Sequence, residues 1–298
     1  MSAQSINAFC RTGAHEWRRV FCHGPNGLDV AEQAMTFHEA WEARPLNAWS
    51  RSNDGLMRLR WQDLLAPLPE LRGPAWAWAL TYQTHQKEAR LADIFSFKKR
   101  GEAESAWTPI QHRPALDYEA EVALLLHRDE PDRFGFLLAN DLTDRAMQLQ
   151  TYNRRRPAPG FSVAKSFPGA LRVGPLIAIG GSELWPEMEV CLEVNGTLRQ
   201  HVKARECVLT PREFHQQIFA GENVDDWVLA LTGTTDGTIF QSPTPRQRLE
   251  LLARNSFSTT RAREAWLRRF QFLSIGDQLG MNSEILGMSH ANLVSGAE

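Results

Sequence analysis

Residues 114–125 read PALDYEAEVALL, and the way this stretch is folded decides the rest. Side chains alternate across a β-strand, so Tyr118, Ala120, Val122 and Leu124 are expected on one face. Asp117, Glu119 and Glu121 then share the other, with Glu119 and Glu121 about 7 Å apart at Cα from the strand rise. Two carboxylates that close, beside an apolar run, repel each other unless a cation or a proton sits between them. On spacing alone, a solvated acidic face is the competing explanation.

The bulk sequence limits what the partner can be. The chain has 298 residues, long enough for one large domain or a main domain with a smaller lobe, and its 43% hydrophobic content supports a sizeable core. A net charge of −2 offers no field for nucleic acid or an anionic membrane. Cys10, Cys22, Cys191 and Cys207 are scattered without a CxxC pair, the pattern of free thiols in a reducing compartment. No apolar run is long enough to span a membrane, and the first residues lack a secretory leader pattern, so a cytoplasmic protein is expected.

Along the chain, residues 1–72 read as a small N-terminal lobe that ends in the proline-rich LLAPLPELRGP. Residues 73–298 then form the main domain. AWAWALTY (75–82) and GPLIAIG (174–180) read as buried strands, and QTHQKEARLADIF as a short helix or ordered loop. FGFLLANDLTDRAMQLQTYN passes from strand to helix near Asp141. Asn195-Gly196 marks a hairpin, and TPREFHQQIFAG (210–221) carries the cap, proline and glycine of a complete helix. The arginine-rich residues 241–270 look like a helical, half-exposed insertion, expected as an amphipathic cover or a dimer contact. Many short strands with few helices imply an α+β, mostly β architecture.

Asp141 follows an apolar strand where a turn could aim it inward, which makes it a third acid for the Glu119–Glu121 pair. Three converging carboxylates make an all-oxygen cage suited to Mg²⁺, Mn²⁺ or Ca²⁺. The order of LTYQTHQKE, DYEAE, ANDLTDRAMQ, AKSFP, LEVNGTLRQ, LTGTTDG and SIGDQLGMNSEILG resembles the fumarylacetoacetate hydrolase family over roughly residues 68–294. The resemblance implies a multi-layered mixed β-sheet roll and a homodimer. It makes Glu119, Glu121 and Asp141 metal ligands, with Mg²⁺ as the expected cofactor. His85 and Glu88 become a water-activating dyad, and Lys165 the cation for a substrate carboxylate or oxyanion. Tyr82, Gln148 and Thr234 match substrate-contacting positions.

The activity so implied is metal-dependent hydrolysis of a C–C bond in a small anionic 2-oxo or β-diketo acid. Decarboxylation, hydration or isomerisation of a 2-oxo acid on the same site is the alternative, and a non-catalytic binding member of the family is another. The chain departs from the family pattern at Thr81, Ala146, Pro168, Thr235 and Thr238. Of the arginines in RRRP (154–157), one is a candidate grip on an anionic substrate.

Overall fold

The computed structural model describes residues 7–44, 55–90, 93–153, 155–221 and 224–295. The apolar run after Glu119 forms the strand Ala120–His127, buried along nearly all its length. It pairs antiparallel with the fully buried strand Phe134–Asp141, Val122 opposite Leu138 and Leu124 opposite Phe136. Leu171–Gly180 lies beyond Phe134–Asp141, and Trp227–Leu231 flanks Ala120–His127 on its other edge. Strands in the middle of a sheet covered on both faces read as continuous apolar runs rather than alternations. That is why VALLL and FGFLLA carry no polar stripe.

Among the described residues, this sheet has eleven strands. Ala75–Ala79 runs parallel to Trp227–Leu231 and is followed by antiparallel Phe95–Lys99. At the opposite side, Ala8–Arg11 pairs with Leu171–Gly180, and Trp17–Gly24, Gly27–Ala31 and Leu56–Leu59 continue outward. The N-terminal strands thus extend the main sheet. A second, five-stranded sheet comprises Thr197–Lys203, Glu189–Val194, Gln278–Ser283, Gly287–Val294 and Ile110–Gln111. Its first hairpin turns at Asn195 and Gly196, both at positive φ (53° and 73°), as a tight two-residue turn requires. The fold is therefore α+β and mostly β, with stacked mixed sheets.

The period of two along Ala120–His127 divides the core. Val122, Leu124 and Leu126 pack with Val190, Leu192 and Met281 of the second sheet. Ala123 and Leu125 face the other way, into a layer holding Phe9, Trp17, Trp41 and Phe97. Helix Pro211–Phe219 forms as expected: Thr210 and Glu213 cap each other reciprocally, proline occupies the first turn, and Phe214 and Ile218 are buried. Residues 83–89 form the short helix Gln83–Ala89. Within 241–270 lie two helices, Pro245–Arg254 and Thr259–Leu267. Among the described residues, no helix is long and apolar enough to cross a membrane.

The opening stretch departs from a single regular strand. Leu116–Asp117 pairs with Thr143–Asp144 in a separate two-stranded ladder, and Ala120 starts the long strand. Between them, the amide of Glu119 donates to the Asn140 side chain and that of Ala120 to the Gln200 side chain. Side-chain acceptors replace ladder bonds, so the chain bends here while its amides stay satisfied.

Leu124 is fully buried between the two sheets. Leu124→Ala is expected to lower unfolding free energy by about 2–5 kcal/mol in chemical denaturation. Leu198→Ala, at a side chain 55% exposed, is expected to change it by less than about 0.5 kcal/mol.

Candidate active site

The antiparallel register sets the acids together. Ala120 lies opposite Asn140, and the Asp141 amide donates to the Glu119 carbonyl at 2.8 Å. The end of one strand therefore lies beside the start of the other, and Glu119, Glu121 and Asp141 offer carboxylate oxygens within 4.8 Å of one another, all three buried. Glu121 is fixed from a third element. Its Oε2 accepts from the amide of Gly233 at 2.8 Å, in the loop after Trp227–Leu231. Gly233 has φ +91°, and a Cβ there would lie 2.2 Å from Thr81 Oγ1, so the close approach needs glycine.

Three cations enter this group. Lys165, the C-cap of helix Pro157–Ala164, places Nζ 2.7 Å from Glu119 Oε2 and 2.8 Å from Asp141 Oδ2. Lys99, the last residue of Phe95–Lys99, reaches Asp141 Oδ1 at 2.5 Å. Arg145, at the start of helix Arg145–Thr151, spans Asp117 Oδ2 (2.7 Å) and Glu119 Oε1 (2.8 Å). All of these charged side chains are buried.

Among the described residues, four carboxyl groups thus face three cations, and Glu121 is the one without an ion-pair contact. Burial opposes ionisation of Glu119, but the Lys165 and Arg145 charges outweigh it and hold its pKa down to about 2. Burial pushes the Glu121 carboxyl well above its ordinary value, and the Asp141 and Glu119 charges push the same way. Burial works against the Lys165 ammonium too, yet Asp141 and Glu119 leave its pKa raised. Burial dominates at Lys99, lowering its pKa despite Asp141. Glu121 is the carboxylate still short of positive charge.

A cavity of about 350 Å³ opens beside the group. His85, Glu119, Arg145, Gln148, Lys165 and Thr234 all line it, whereas Glu121 and Asp141 are not among its lining residues. His85 Nδ1 stands 3.2 Å from Glu88 Oε2 across one turn of helix Gln83–Ala89. Glu88 is itself held by the Gly237 amide (3.2 Å) and the Thr238 hydroxyl (3.1 Å). With Nδ1 engaged, Nε2 is the ring nitrogen left for a reacting group. Gln148 accepts from Arg145 at 2.9 Å, and the Thr234 hydroxyl donates to the Ala120 carbonyl at 2.7 Å.

Tyr82 lies off the cavity wall but within reach of the Glu121 charge. It is 1% exposed, packed in the core cluster with Trp78 and Phe214, and absent from the cavity wall. An isolated antiparallel bridge pairs the Tyr82 backbone with that of Cys207. Arg154 lies outside the described residues, and Arg155 and Arg156 do not line the cavity.

Several contributors are not evident from motif order. Lys99 is one; its signal is the alternation in FSFKK, which puts it on the face of buried Phe97. Arg145 and Asp117 lie within the quoted motifs, but their pairing arises only by tertiary contact. The departure at Thr238 supplies a bond to Glu88, and that at Thr81 donates to the Thr232 carbonyl at 2.5 Å. Residues 241–270 contribute Leu251, Ala262 and Trp266 to the cavity lining.

Known proteins show the same arrangement of chain. A family model described as the C-terminal domain of fumarylacetoacetate hydrolase matches residues 76–279. An oxaloacetate tautomerase of Bacillus subtilis (strain 168) is 29% identical over 132 residues, 41% of this chain and 42% of that protein. The chain thus matches less than half the length of that curated relative. Among solved structures, 2-hydroxyhepta-2,4-diene-1,7-dioate isomerase from Mycobacterium marinum has a TM-score of 0.62 at 16% identity, covering 99% of this chain and 100% of that one. Fumarylpyruvate hydrolase from Pseudomonas aeruginosa, in complex with Mn²⁺ and pyruvate, has a TM-score of 0.52 at 15% identity, covering 77% and 91%. The family match spans most of the chain, and the fold agrees with it: this protein belongs to the fumarylacetoacetate hydrolase family.

Proposed function

We propose that the protein is a divalent-metal-dependent enzyme that hydrolyses a C–C bond in a small 2-oxo acid of the acylpyruvate or fumarylacetoacetate type. The observation that carries this reading is that one cavity is bordered both by Glu119, from the acidic cluster, and by His85, whose Nδ1 is held by Glu88.

The donor set fits a hard divalent ion. It offers three buried carboxylates with oxygens within 4.8 Å and, at Glu121, an acid left short of positive charge by its surroundings. Glu119, Glu121 and Asp141 would hold the ion, with Mg²⁺, Mn²⁺ or Ca²⁺ all compatible with oxygen ligands. Bound there, it supplies Lewis acidity toward the oxo-acid oxygens and charge neutralisation as the bond breaks.

The remaining work falls to the chain's own side chains. His85, oriented through Nδ1 by Glu88, takes a proton from water at Nε2. The resulting hydroxide adds to the acyl carbonyl, and Lys165 together with the Arg145–Gln148 pair supplies positive charge and hydrogen bonds for the oxyanion. Collapse breaks the C–C bond; the electron pair leaves on the 2-oxo acid fragment, and the proton held by His85 returns to its carbon. The products are a carboxylic acid and a pyruvate-type acid. Within this reading the enzyme is cytoplasmic, forms the homodimer that the family resemblance implies, and needs no nucleic acid.

A second reading is favoured by the tautomerase relative. The same His85 would carry a proton between carbon and oxygen of an oxo acid without cleaving it. The two differ in products, since only hydrolysis releases a second acid.

Glu119→Gln, or excess EDTA, is expected to lower acylpyruvate cleavage at least about 100-fold, followed by pyruvate release. Full activity under chelation would exclude the metal-dependent reading. His85→Ala is expected to cut kcat by about 10²–10⁴ while leaving Mn²⁺ affinity, measured by calorimetry, within about threefold. Unchanged kcat would exclude the dyad.

A further inference from the structure

The catalytic groups border only part of the cavity. The helices Pro245–Arg254 and Thr259–Leu267 build an opposing wall, where Leu251, Ala262 and Trp266 form a cluster of their own with Phe240. Trp266 donates its indole N–H to the Gln241 carbonyl at 2.9 Å, so the ring it offers the cavity is apolar. Phe97 and Phe161, from the main-sheet side, line the same space. This apolar zone adjoins the anion-binding groups, because Phe240 lies 5.7 Å from the Arg145 guanidinium. Exposed Arg248 and Arg263 also line the cavity and keep their charge in water.

The volume calls for more than an oxo-acid head. About 350 Å³ is within the range of sites for drug-sized ligands, roughly 300–1,000 Å³. A pyruvate unit alone would leave most of it bare, with aromatic side chains facing water.

We propose that the helical pair 245–267 forms a tail subsite, and that the preferred substrate is a 2-oxo acid carrying a bulky apolar acyl group. This rests on the reading of the site as one for 2-oxo acids. The head lies among Lys165, Arg145 and Gln148, and the tail between Phe97, Phe161, Phe240 and Trp266. Each methylene that leaves water for this zone raises kcat/KM by about fourfold.

The test uses the full chain with Mn²⁺ and two series. The first is 2,4-dioxo acids with methyl, pentyl or phenyl acyl ends, read as kcat/KM. The second is the non-cleavable acids pyruvate and 2-oxo-octanoate, read by calorimetry. Longer tails are expected to gain at least about tenfold in both series. Ala262→Phe, which fills the subsite, is expected to bring the long-to-short ratio toward one. Thr259→Trp, at an exposed position on the same wall, is expected to do so without a core change. Equal affinity for pyruvate and 2-oxo-octanoate in the wild-type chain overturns the tail subsite, even if every dioxo acid is cleaved. Tail-dependent binding that both variants abolish supports the subsite, even if no dioxo acid is cleaved; that result counts only against the reaction.

Discussion

A buried ionic group at the junction of two antiparallel strands is the constraint on which the rest of this molecule depends. Glu119, Glu121 and Asp141 are each almost wholly removed from water, and taking charges out of water costs several kcal/mol apiece unless geometry returns it. Here the return comes from Lys165 and Lys99 on Asp141, Lys165 and Arg145 on Glu119, and a backbone amide on Glu121. Such a network tolerates little misplacement, since any unpaired member would carry its full desolvation penalty.

That demand explains features that would otherwise look accidental. The break in strand pairing at Tyr118 and Glu119 falls where the Glu119 carboxylate meets Arg145 and Lys165, from two separate helices' ends. Asn140 and Gln200 side chains take the two amides that the break releases. Gly233 permits the loop to approach Glu121. Strand ends of the main sheet supply Glu121, Asp141 and Lys99, and helix termini supply Arg145 and Lys165. Function is thus carried on elements whose positions the core has already fixed.

The arginine-rich segment 241–270 has a place in this scheme. Its two short helices pack a small cluster of Leu251, Ala262 and Trp266 over the cavity, with Arg246 and Arg268 turned outward to Glu250 and Glu264. The arginines that stand out in the sequence are mostly its solvent face, while the apolar residues between them shape the space above the acids.

Much of this was written locally. The helix Pro211–Phe219 follows from Thr210, Pro211 and Glu213, whose capping is decided within four residues, and the Asn195-Gly196 turn from the positive φ that those residues accept. The buried central strands follow from unbroken apolar runs, and the motif order pointed to the acids and to the His85–Glu88 pair. What the sequence could not hold was the pairing of charges distant along the chain. Lys99 meets Asp141 across 42 residues, and Arg145 joins Asp117 across 28. The backbone of Tyr82 likewise pairs with Cys207, far along the chain. Local propensity and periodicity are properties of neighbours in sequence. A buried ion's partners are chosen by proximity in space, which exists only once strand register and sheet stacking have brought the segments together.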